Sequence, residues 1–131
     1  MASWRYELDG PPEDWQNTYW LPHLAGFILI EDVRNYARDR IEPTISEDAS
    51  AAAEKAIDDA LYGLMMVVDG VSGGISNDDF AANVSVRIRL RRKADDAIVE
   101  ELDLFDSDGV CMAYHGWIEG DFGGEQFARP R

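Results

Sequence analysis

The residues best suited to chemistry in this sequence lie near its C-terminal end. His115 is followed closely by Trp117, Glu119 and Asp121, so an imidazole, an indole and two carboxylates are neighbours in the chain. Imidazole and carboxylate groups can move protons or ligate a metal. One histidine with two carboxylates is a weak ligand set without a second histidine at strand or helix spacing. These four residues are therefore the alternative site, a ligand or enzyme pocket, and we expect no metal and no cofactor.

No catalytic motif supports chemistry elsewhere in the chain. His23, the second histidine, is distant in sequence, and no HExxH, paired CxxC or GxSxG pattern is present. Gly70 to Gly74 is rich in glycine, but it lacks the lysine and the spacing of a phosphate-binding loop. We therefore expect a protein without catalytic activity.

Acidic residues dominate the charge of the molecule. There are 26 acidic and 12 basic residues, which gives a net charge of −14. A field of this sign attracts basic proteins and repels nucleic acid and anionic membranes. The simpler interpretation is that the acidity only maintains solubility. The more specific prediction is a partner-binding surface formed by Asp58, Asp59, Asp78 and Asp79.

A basic stripe interrupts this acidity, and it lies on the clearest predicted strand. Residues 84–91 alternate apolar and polar side chains, which is typical of a half-buried strand. The basic residues are Arg87, Arg89, Arg91, Arg92 and Lys93. A nucleic-acid site would require basic residues that neighbouring acids do not neutralise. Here a second predicted strand, Ile98 to Phe105, supplies acids that can pair with the basic residues. We therefore expect an ion-paired face rather than a nucleic-acid site.

The side chains of these two strands also predict their register. If Leu90 lies opposite Leu102, the same alignment places Arg89 beside Asp103 and Arg91 beside Glu101. Ile88 then faces Leu104 on the apolar side. A slip of one residue would mix the two faces.

One long helix is expected to organise the core. Ile57, Leu61, Leu64 and Val68 fall on one stripe of a helix. Ser46 or Thr44 can cap its start, and Asp69-Gly70 is a typical end. We expect Leu61 and Leu64 to be buried against the two strands.

Two shorter helices are predicted before it. A helix from Pro22 to about Arg40 or Ile41 has apolar residues on one face, although the run Phe27 to Ile30 could instead be a buried strand. A short helix from Pro12 to Trp20 lies in a segment rich in aromatic residues, which usually pack on a core.

A third strand, from Val110 to about Trp117 or Ile118, completes the predicted elements. The expected fold is a single α+β domain over residues 1–131. Its N-terminal helices, including one long central helix, pack on a C-terminal antiparallel meander of three or more strands.

The broad class follows from composition. No apolar run reaches the ~20 residues that span a bilayer. The start of the chain does not resemble a secretory signal, and the single Cys111 suits a reducing compartment, so we expect a cytoplasmic protein.

The predicted function is a protein-binding module, for example an immunity protein or antitoxin that meets a basic partner. The alternative is a small enzyme or ligand-binding domain at His115 and Trp117, and a homodimer is compatible with either.

Overall fold

The computed structural model describes residues 1–11, 20–124 and 128–131. Its helices are α1 (Ala2–Arg5), α2 (Trp20–Leu29), α3 (Tyr36–Arg38), α4 (Glu47–Val68) and α5 (Val110–Trp117). A π-helix (Ile30–Asn35) joins α2 to α3, and a 3-10 turn (Leu104–Asp106) precedes α5. The strands are β1 (Tyr6–Leu8), β2 (Gly74–Ser76), β3 (Ala81–Asn83), β4 (Arg87–Arg91), β5 (Ile98–Asp103) and β6 (Ala128–Pro130). This mixture confirms the predicted α+β class.

In the part of the chain that the structure describes, the strands form separate antiparallel pairs. Within the described residues, β1 pairs with β6, β2 with β3, and β4 with β5. The predicted meander of three or more strands is therefore wrong. Its two central strands exist as the β4–β5 hairpin, but the segment expected to add the third strand is helical.

That segment forms the helix α5, and the contact that favours the helix comes from a residue distant in sequence. The Asp69 carboxylate accepts hydrogen bonds from the backbone N–H groups of Val110 at 3.1 Å and Cys111 at 3.3 Å. These donors have no partner inside the helix, so Asp69 caps it from a distant part of the chain. Val110, Tyr114 and Trp117 are the buried residues of α5, and their spacing is helical.

The predicted long helix is confirmed as α4. The Ser46 hydroxyl oxygen accepts the backbone N–H of Ala49 at 3.2 Å, as expected of an N-cap. Its buried stripe is centred on Leu61, Met65 and Val68. Leu61 is buried as predicted, whereas Leu64 is only half-buried. The core therefore includes a methionine that the predicted stripe omitted. The helix packs mainly against α5, α3 and the π-helix, so the expectation that it packs on the two strands is wrong.

The predicted helix from Pro22 to Ile41 is also confirmed, with different ends. The chain is helical from Trp20 to Arg38 and passes through the π-helix without a break. The alternative of a buried strand at Phe27 to Ile30 is wrong. The short helix predicted from Pro12 lies outside the described residues, apart from Trp20, which begins α2.

The β4–β5 hairpin is confirmed, but its predicted register is wrong by two residues. Arg89 lies opposite Glu101 rather than Asp103, and Leu90 lies opposite Glu100 in the same register. A shift between Leu90 and Arg91 then places Arg91 opposite Ile98. As far as Leu90 both strands keep the predicted inner and outer faces, because a two-residue displacement preserves alternation. The bulge is the feature that side-chain matching could not anticipate.

Candidate functional site

Among the described residues, the longest exposed segment contains the β2–β3 hairpin, here called the arm (residues 71–85). Every residue of the arm is exposed. Four large apolar side chains are included, with exposed fractions of 70% for Val71, 79% for Ile75, 77% for Phe80 and 63% for Val84. Isolated exposed apolar residues are ordinary, but several on one projecting hairpin indicate an interaction surface.

The tip of the arm is held by hydrogen bonds. The Asn77 side-chain oxygen accepts the backbone N–H groups of Asp79 at 2.9 Å and Phe80 at 2.7 Å. The Asn77 backbone N–H donates to the carbonyl of Phe80 at 2.8 Å. An asparagine that mimics a turn in this way restricts the chain on both sides of it. Asp78 and Asp79 are therefore presented on a preorganised turn.

Two glycines attach the arm to the end of α4. Gly70 and Gly73 have φ angles of +74° and +85°, which a residue with a Cβ rarely adopts. A Cβ on Gly70 would overlap the Phe105 ring, and one on Gly73 would lie 2.7 Å from a methyl group of Val67. The base of the arm is thus packed closely against the body, while its strands extend away.

Asp58 and Asp59 lie near the middle of α4 and are already paired within the chain. Arg34, in the π-helix, donates from Nε and Nη2 to the two carboxylate oxygens of Asp58 at 2.6 Å and 3.1 Å. This hydrogen-bonded pair lowers the pKa of Asp58. Asp59 pairs with Lys55 one turn away on the same helix. Part of the role of these two acids is therefore structural.

His115 lies beside these acids. A cavity of about 420 Å³ is lined by Asp58, Asp59, Tyr62, Tyr114, His115 and Ile118. The His115 and Tyr62 ring centroids are 5.7 Å apart. His115 belongs to the predicted alternative pocket and the two aspartates belong to the predicted partner surface, so members of the two predicted sites line one cavity.

Trp117 faces a different part of the molecule. It is buried, and its indole N–H donates to Nδ1 of His23 at 2.9 Å. These two residues border a separate cavity of about 250 Å³ with residues 107–110. Burial lowers the pKa of His23, and the nearby Asp121 carboxylate opposes that shift.

Glu119 and Asp121 follow α5 and are exposed. Neither lines the cavity of His115 or that of Trp117. Across the described ranges, no group of three histidine, cysteine or acidic side chains is arranged to hold a metal ion.

The basic stripe is accompanied by acids. Arg89 Nε lies 3.2 Å from a Glu101 oxygen, and Arg91 Nη1 lies 2.7 Å from an Asp96 oxygen. Arg92 pairs with Asp95 at 3.0 Å. The predicted cross-strand partner of Arg91 was Glu101, so the actual partner comes from the turn instead.

Comparison with protein-family models, curated proteins and solved structures found no match. None of the helices described here is long and apolar enough to cross a membrane. The function must therefore be inferred from the surface itself. The predicted partner surface includes the acids of the arm but not its apolar residues, although Ile75 and Phe80 on either side of an Asn-Asp-Asp turn are a signal of a hairpin.

Proposed function

We propose that this protein is a non-catalytic module that binds a basic protein through the arm. The observation that carries the proposal is the exposure of Val71, Ile75, Phe80 and Val84 on a hairpin whose tip is fixed by Asn77. A preorganised apolar element loses little conformational entropy on binding. Such an element can supply the apolar contacts at the centre of an interface.

The charge of the arm indicates the chemistry of its partner. Asp78 and Asp79 stand at the tip, and residues 71–85 contain no lysine, arginine or histidine. Complementary charge speeds encounter and rejects partners of like sign. The partner is accordingly a protein with a basic surface around an apolar pocket. A cationic toxin that is neutralised by an immunity protein or antitoxin would present such a surface. Nucleic acid is excluded by the same argument.

Asp58 and Asp59 have a secondary part in this proposal. Helix geometry of about 1.5 Å per residue places them roughly 15 Å before the C-terminal end of α4, where the arm begins. Because Arg34 and Lys55 compensate their charges locally, these two aspartates add little to the long-range negative field. The whole chain, residues 1–131, acts as one binding domain, and the lone Cys111 is in keeping with a cytoplasmic location.

Site-specific cross-linking tests the proposal directly. A photo-reactive amino acid is introduced in place of Phe80 in one variant and in place of Met112 in another. Met112 is the matched control because it is exposed to nearly the same extent, 79% against 77%. We expect the first variant, but not the second, to capture a protein rich in lysine and arginine, with a yield that falls as salt is raised.

Two outcomes would contradict the proposal. One is capture of the same proteins from both positions, which would mean that the arm has no specific role. The other is an activity on a small molecule that is lost in His115→Ala and unaffected by substitutions in the arm. That second result would instead support the alternative site at His115.

A further inference from the structure

A second surface of different character lies along one edge of the β4–β5 hairpin. A cavity of about 420 Å³ borders β4 over Ile88–Arg91 and includes no residue of β5. The first strand, β1, borders its far side through Tyr6 and Leu8. Leu24, Phe27 and Ile28 of α2 line it between the two strands. Its volume is within the range of ligand sites, about 300–1,000 Å³.

The backbone of β4 presents unused hydrogen-bonding groups to this cavity. The Leu104 N–H donates to the Val86 carbonyl at 2.9 Å, and the Arg92 N–H donates to the Ala97 carbonyl at 2.9 Å. Backbone groups alternate sides along an antiparallel strand. The N–H and C=O groups of Arg87, Arg89 and Arg91 therefore point away from β5. They make no backbone hydrogen bond on that side to any described residue.

The two faces of this edge are complementary to different kinds of side chain. On the inner face, Ile88 and Leu90 adjoin the apolar residues of α2. On the outer face, Arg87 and Arg89 share a single carboxylate, Glu101, at 3.7 Å and 3.2 Å. Two arginines thus share one acid here, whereas Arg91 has its own partner, Asp96. The acids that line the cavity already have partners within the chain: Glu7 pairs with Arg129, Asp96 with Arg91, and Asp32 accepts the backbone N–H of Ala2. Lys93, which also lines the cavity, makes no ion pair with a described residue.

We propose that the free edge of β4 accepts an extended segment of a partner in which acidic and apolar residues alternate. The segment adds a strand to the hairpin through backbone hydrogen bonds, a common mode of peptide recognition. Its apolar side chains enter the cavity and its acidic side chains meet the outer arginines. A second copy of β4 fits poorly here, because arginine would lie opposite arginine. This surface and its partner chemistry are distinct from those of the arm.

The test uses a blocked eight-residue peptide that alternates glutamate and valine. Two controls have a length of eight residues: one contains the same residues grouped in blocks, and the other alternates lysine and valine. Backbone amide signals of the full chain are followed by NMR during titration. We expect the alternating acidic peptide alone to shift the amides of Arg87, Arg89 and Arg91 and to slow their hydrogen exchange. Shifts confined to α2 and β1 would overturn the proposal, since they would indicate a small apolar occupant that does not pair with β4.

A matched pair of variants isolates the backbone contact. Arg89→Pro and Arg89→Ala both remove the guanidinium group, but only proline removes the outward N–H. Proline is tolerated on an edge strand where its missing N–H would face outward. We expect Arg89→Pro to bind the peptide roughly three- to tenfold more weakly than Arg89→Ala. Equal affinities would contradict strand addition.

A second pair keeps the test informative if the proline variant does not fold. Ile28→Asp places a like charge in the cavity, whereas Val33→Asp places it on the adjoining π-helix, outside this cavity. The two residues are similarly exposed, at 38% and 39%. Only Ile28→Asp should weaken peptide binding, and equal effects of the two would also overturn the proposal.

Discussion

His23 is the residue whose protonation state is tied most directly to the fold. Its Nδ1 atom accepts the indole N–H of Trp117, so this contact requires an unprotonated nitrogen. Burial lowers the pKa of His23 below the ordinary histidine value of about 6.5. Because the unfolded chain binds the proton more readily, the free energy of unfolding should fall as pH drops through about 6.5, and this loss should level off below the folded pKa.

Comparison with His23→Asn measures this effect. The asparagine side chain can accept a hydrogen bond but does not titrate. We expect the parent to lose stability relative to His23→Asn when urea unfolding is measured from about pH 8 to about pH 5. A difference that does not vary with pH would show that His23 contributes nothing to the pH dependence.

Individual residues also show which parts of the candidate site could be predicted from the sequence. Asp78 and Asp79 were recognisable because acids beside Asn77 indicate a turn, and they do lie in one. The intrachain partner of Asp58 was not recognisable, because Arg34 reaches it from a separate helix. An ion pair between elements depends on tertiary packing, and no periodicity in either segment encodes it.

At the scale of elements, the packing of α2 on α5 depends on the absence of a side chain. A Cβ on Gly26 would overlap the indole ring of Trp117. Trp117 is buried, and its indole N–H donates to Nδ1 of His23, so the ring cannot move aside without loss of this hydrogen bond. We expect Gly26→Ala to destabilise the protein by about 1–3 kcal/mol through overpacking.

Gly63 provides the matched control for this prediction. It also lies within a helix, α4, and a Cβ there would have nothing within 4 Å. Gly63→Ala should therefore stabilise the protein, by up to about 1 kcal/mol, through helix propensity. Denaturant unfolding of the two variants should give changes of opposite sign. A stable Gly26→Ala would contradict the close contact between these helices.

The elements also show which parts of the fold local sequence can predict. The helix α4 was predictable because its cap, stripe and termination signals lie within its own residues. For α5, a short apolar run was compatible with either a strand or a helix. The deciding contact comes from Asp69, at the end of another element. In the β4–β5 hairpin, alternation predicted the faces, whereas the bulge after Leu90 determined the pairs.

At the scale of the whole molecule, charge is distributed so that the arm and the β4–β5 hairpin differ. The arm has only acidic charges, while the hairpin contains the basic stripe together with its paired acids. A partner that approaches the arm therefore meets only acidic charge there, on a molecule whose net charge is −14. Encounter and final contact are separate steps, since apolar side chains such as Phe80 act only at short range.

The most direct test of partner binding through the arm is the association rate of the protein captured by cross-linking. Asp78→Asn with Asp79→Asn is compared with Asp106→Asn with Asp108→Asn, a pair that removes the same charge from exposed positions outside the arm. We expect the arm variant to associate roughly three- to tenfold more slowly and the control to remain close to the parent. Equal rates for the two variants would contradict the proposal that the arm is where the basic partner binds.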